Sequence, residues 1–132
     1  MATWEERLSD AQGFWDVAGA ADDREHPNQA AANAILAAIA ANDAVCLRLK
    51  GACPTGESHT EAARILRQFC QGTPWEGEAP RRARQLADVL RHKTAAQYAG
   101  RRLSTDLVRR IMHQAARFIA WAVRVCSSAR TG

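Results

Sequence analysis

Residues 28–50 read NQAAANAILAAIAANDAVCLRLK, and this stretch decides the fold. It holds no glycine or proline, and alanine, the strongest helix former, fills nine of its positions. Ile35, Leu36, Ile39, Cys46 and Leu47 are its larger anchors. Alanines on several sides of one helix imply neighbours that approach closely on more than one face. The stretch is therefore expected to be the central helix, opened by Pro27 and ended by the turn from Gly51 to Gly56 around Pro54.

Working outward, Thr3-Trp4-Glu5-Glu6 is a capping box that starts a helix over about 3–21, with Trp4, Leu8, Ala11, Trp15 and Ala18 at helical spacing. Ser58-His59-Thr60-Glu61 is a second capping box, opening a helix over about 58–70 with Ala62, Ile65, Leu66 and Phe69 inward. The breaker cluster Gly72–Gly77 precedes a helix over about 79–97, where Pro80 suits the first turn. Gly100 ends it, and Ser104 caps a last helix over about 105–127. The 28 alanines against one tyrosine and three phenylalanines weigh against strands. The expectation is one all-α domain over residues 1–132, an antiparallel up-and-down bundle of four to five helices.

The net charge of +4 conceals a segregation. Residues 1–80 carry 6 Lys/Arg and 12 Asp/Glu, a balance of −6, whereas residues 81–132 carry 12 and 2, a balance of +10. A basic half raises the question of an anionic partner. Cys46, Cys53, Cys70 and Cys126 form no C-x-x-C pair and the four histidines no metal-binding spacing, so no metal or cofactor is expected. No uninterrupted apolar run reaches the ~20 residues of a membrane span, and no basic segment precedes an apolar one at the start. The expected address is the cytoplasm, with no membrane contact.

Some residues break the apolar pattern. If helix four runs to residue 97, Lys93 falls about 20° from Leu86 and lies inside the stripe of Leu86, Val89 and Leu90. A buried ammonium needs a partner. Asn42 and Asp43 interrupt the face of Ile35, Ile39 and Cys46, and His59 lies one turn before Ala62 and Leu66. An Asp43–Lys93 contact is expected, with Asp43, His59, Lys93 and Tyr98 as a polar core cluster. Such a cluster is either a satisfied network that fixes helix register or a polar pocket in the bundle.

On the last helix, Leu107, Ile111, Ala115, Phe118, Ala122 and Val125 form the core face. Arg110, His113, Arg117, Trp121 and Arg124 line an adjacent face, and Arg81, Arg82, Arg84 and Arg91 add charge from helix four. Arginine forks suit phosphate, and an exposed tryptophan stacks on a base or packs on a partner. The bland reading is a solvated face paired with the acidic first helix or with a second subunit.

Three blocks carry a likeness to a known family. Ala40-Ala41-Asn42-Asp43-Ala44-Val45-Cys46, Gly56-Glu57-Ser58-His59-Thr60-Glu61-Ala62 and Lys93-Thr94-Ala95-Ala96-Gln97-Tyr98 resemble the HEPN superfamily, its small stand-alone actinobacterial-type proteins most of all, over roughly residues 28–126. The resemblance implies an up-and-down α-helical bundle, often a homodimer. It also implies either a metal-independent ribonuclease of toxin–antitoxin, defence or RNA-processing systems, or a non-catalytic binding module. The family's ribonucleases carry an R-x4–6-H motif, and none of His26, His59, His92 and His113 has an arginine at that spacing. Lys93, Ala96 and Tyr98 are similar to a subfamily pattern, R-x-x-A-D-Y, with Gln97 where its acid stands. The resemblance thus points to a non-catalytic or weakly active domain that binds RNA or a partner protein. The alternatives are a ribonuclease with His59, Lys93 and Tyr98 as candidate catalytic residues, and an antitoxin or adaptor whose basic face meets an acidic protein.

Overall fold

Thr3 and Glu6 set the first helix through a reciprocal capping box, the Thr3 hydroxyl accepting from Glu6 N and the Glu6 carboxylate from Thr3 N. In the computed structural model, which describes residues 1–54, 58–98, 100 and 102–128, this helix is α1 (Trp4–Asp23). It is followed by α2 (Pro27–Lys50), α3 (His59–Cys70), α4 (Ala79–Leu90), the six-residue α5 (Lys93–Tyr98) and α6 (Thr105–Ser127). The chain is an all-α helical bundle, with no strand among the described residues.

Helix α2 is its axis. Ala30, Ala31, Ala34, Ala37, Ala38, Ala40, Ala41 and Ala44 are all buried and cover about half the circumference of the helix, an arc that Ile35, Asn42, Cys46 and Leu47 widen. α1 packs along one side of α2, α6 along another, and α3, α4 and α5 against the rest. By length and apolarity α2 would also serve as a membrane span, because its polar residues are few and scattered. Two-thirds of that window is buried by the other helices, as a core helix is. The cysteines Cys46, Cys70 and Cys126 are free and buried in the same core, and burial pushes the Cys70 and Cys126 thiols up to about 11.

The caps explain where helices start and stop. Ser58 accepts from Glu61 N and Ser104 from Leu107 N. The second capping box is only half formed, because the Glu61 carboxylate turns instead to Arg64. Gly51, with φ of 67°, closes α2 in the left-handed region. Arg48 then ties α2 to the end of α6, donating to the carbonyls of Cys126 (3.4 Å) and Ser128 (3.1 Å) and lying over the Trp4 ring at 5.5 Å.

One boundary differs from the sequence reading, and it moves a functional residue. The expected helix over 79–97 stops at Leu90. Arg91 N donates to Ala87 O while His92 N closes a tighter bond to Val89 O, and the chain restarts as α5 at Lys93. That tight turn breaks the angular phase of the α4 stripe. Lys93 is therefore not the next inward position after Leu86, Val89 and Leu90, and it is exposed. The buried lysine expected from an unbroken helix does not exist.

Candidate functional site

Asp43 is half-buried on α2, but its partner is Arg7 of α1, not Lys93. Arg7 donates to Asp43 Oδ2 from Nε (3.2 Å) and Nη2 (2.9 Å), and its Nη1 donates to Asp10 Oδ2 at 2.8 Å. Burial holds the Asp43 carboxyl above its ordinary range even though Arg7 pulls it down. No Asp43–Lys93 ion pair forms. His59, expected to point inward, is exposed in the first turn of α3. The side chain of Tyr98 lies outside the described residues.

Three members of the expected cluster nevertheless share one place. Asp43, His59 and Lys93 line a cleft of about 150 Å³ between α2, α3 and the start of α5, together with Asn42 and the apolar Ile39, Ala62 and Leu90. Asn42 is 3% exposed, and the only partner of its carboxamide among the described residues is the Cys46 thiol, which approaches its oxygen at 3.9 Å. The polar residues that break the helical stripes thus surround a gap instead of closing on one another.

The second site lies between α4 and α6. Arg81, Arg84, Gln85 and Asp88 of α4 face Arg110, His113, Gln114 and Arg117 of α6 across a groove of about 530 Å³. The i, i+3 spacing puts Arg81 and Arg84 on one wall. The i, i+7 spacing puts Arg110 and Arg117 on the other, about 10 Å apart along the axis. Asp88 is 17% exposed and meets two guanidiniums, those of Arg110 and Arg91, each at 2.8 Å. Arg81, Arg84 and Arg117 have no carboxylate partner among the described residues. Arg82 turns inward to Gln85 (2.9 Å) and Glu78 (3.8 Å), and its Nε is buried without an acceptor. Burial depresses its guanidinium; Glu78 opposes that, while Arg81, Arg124 and Arg117 add to it. The groove is a crowd of like charges with too few counter-charges of its own.

Two residues expected on this face are not available there. Trp121 is 1% exposed and packs against Phe118 with ring centroids 5.7 Å apart. α6 is wedged between α2 and α4 and so buries a wider arc than the single stripe read from its sequence, taking in Val108, Ile119 and Cys126 as well. Arg124 is exposed but occupied, lying over Trp75 at 5.7 Å and reaching Glu78 at 3.2 Å. Arg110, His113 and Arg117 stand where expected. Arg81 and Arg84 complete the groove; their signal in sequence was the exposed i, i+3 pair on helix four. The acidic first helix does not neutralise the groove. α1 carries six acids and one arginine, all six acids are exposed, and α1 packs mainly on α2.

No group of three or more metal-ligating side chains occurs among the described residues. No family model, curated protein or solved structure matches the chain.

Proposed function

We propose that this chain is an RNA-binding helical domain that holds the phosphate backbone in the α4–α6 groove. One observation carries the reading: Arg81, Arg84 and Arg117, unpaired among the described residues, come from two helices onto the walls of one groove. Guanidinium forks bind phosphate oxygens in pairs, and each contact releases condensed counter-ions. With Trp121 buried, recognition rests on backbone phosphates and not on base stacking on that side chain.

The resemblance to HEPN proteins fits this reading and extends it to a cytoplasmic homodimer of a toxin–antitoxin, defence or stress system. We assign the chain no catalytic role. The test is a mobility shift with labelled RNA. Wild-type protein should retard it at low salt, and the triple change Arg81→Glu, Arg84→Glu, Arg117→Glu should abolish the shift while leaving the helical circular dichroism intact. Retention of the shift would refute the groove as the contact.

A further inference from the structure

The 150 Å³ cleft is unrelated to the groove and has a chemistry of its own. Its charged groups are of both signs and remain apart. Both bonds from Arg7 fall on Oδ2 of Asp43, so Oδ1 receives no donor among the described residues. Lys93 is exposed at its edge with no carboxylate partner among those residues. Asn42, almost wholly buried, lines the same cleft, and its amide nitrogen finds no acceptor among the described residues. A buried amide with an unused donor in a cleft asks for a ligand or water acceptor. The start of α3 lies there too, through Ser58 and His59, and its dipole favours an anion beside Lys93. Ile39 and Leu90 supply an apolar wall.

We infer that this cleft binds a small zwitterion of amino-acid size, with its ammonium on Asp43 Oδ1, its carboxylate on Lys93 and His59, and its aliphatic side chain against Ile39 and Leu90. The cleft is smaller than the roughly 300–1,000 Å³ pockets that take drug-sized ligands, which suits a ligand of amino-acid size. A simple anion would leave the open oxygen of Asp43 unmatched and repelling, and a simple cation would do the same to Lys93. Only a ligand with both charges satisfies both ends. Arg7 is the positioning residue: by holding Oδ2 it keeps the carboxylate in place and leaves Oδ1 open.

The full chain is titrated with alanine, valine and leucine while amide signals are followed by two-dimensional NMR, with isovalerate and isoamylamine as one-ended probes. Saturable shifts at Asn42, Asp43, His59 and Lys93 are expected with at least one amino acid, and each one-ended probe should bind about tenfold more weakly or worse. Lys93→Met should weaken the amino acid about tenfold and leave isoamylamine unchanged; being exposed and unpaired, Lys93 can be replaced without harm to the fold. Asp43→Asn should weaken the amino acid about tenfold and leave isovalerate unchanged. Absence of saturable shifts with all three amino acids, or equal binding of a one-ended probe, would overturn the inference. Neither result touches RNA binding in the groove, which the mobility shift reads separately.

Discussion

Arg7 and Asp43 are joined by two guanidinium nitrogens converging on one carboxylate oxygen, linking α1 to α2 across 36 residues of sequence. The pair is well inside the protein, with side chains 22% and 18% exposed. Removing one partner strands the other, and a stranded half-buried charge costs more than the pair contributes. Arg7→Met should therefore destabilise the fold by about 1–3 kcal/mol in denaturant unfolding. Adding Asp43→Asn should recover part of that loss, with a coupling of roughly 0.5–3 kcal/mol. Lys93→Met combined with Asp43→Asn should be additive. Coupling to Lys93 instead of Arg7 would mean that the pairing described here is wrong.

Trp121 belongs to the core and not to the basic face. Trp121→Ala should cost about 3–5 kcal/mol in chemical denaturation. Because its indole nitrogen is buried without a hydrogen-bond partner, Trp121→Phe should lose no hydrogen bond and should cost less than Trp121→Ala. A harmless Trp121→Ala combined with weakened RNA binding would place the side chain on the surface.

How much of this was legible in sequence depends on the range of the signal. The alanine-rich α2, the Thr3 box, the Ser58 and Ser104 caps and the core faces of α3 and α6 follow from local spacing, and all are present. The position of Lys93 needed the helix phase to survive Arg91 and His92, and no proline or glycine announces the break there. The partner of Asp43 lay on α1, whose fully buried residues are the small Ala11 and Ala18, and nothing in its pattern singled out Arg7. Trp121 was misplaced because a single stripe was assumed for a helix that packs on two sides. Of the cluster, Asp43 was legible as a break in the apolar face of α2; that His59 and Lys93 line the same cleft follows from where α3 and α5 start, which spacing alone does not give, and the side chain of Tyr98 lies outside the described residues.

His92 sits at the α4–α5 turn with Nε2 buried and unpartnered. Burial lowers its pKa, as do Arg91 and Arg110, while Asp88 opposes them. A histidine depressed in the fold binds its proton more readily when unfolded. Its contribution to stability is thus intact above the unfolded value near 6.5 and is lost as pH falls through that value toward the folded pKa. His92→Gln should flatten the pH dependence of Tm over that window. An unchanged slope would show that His92 is not the group responsible.

Asp88 is the groove's internal counter-charge, holding Arg91 and Arg110 together. Asp88→Asn should release both to phosphate, tighten RNA binding and steepen its salt dependence by roughly 0.7 for each arginine freed on a single strand. Weaker binding would imply that Asp88 orients Arg110 for its ligand.

The most direct test of the account is the salt dependence of RNA affinity, measured by fluorescence anisotropy on the wild type and on the Arg81, Arg84, Arg117 triple glutamine variant. Three phosphate contacts at roughly 0.7 each predict that the logarithmic slope of the wild type exceeds that of the variant by about 2 on single-stranded RNA. Equal slopes, or wild-type binding that does not change with salt, would contradict the α4–α6 groove as a phosphate-binding site.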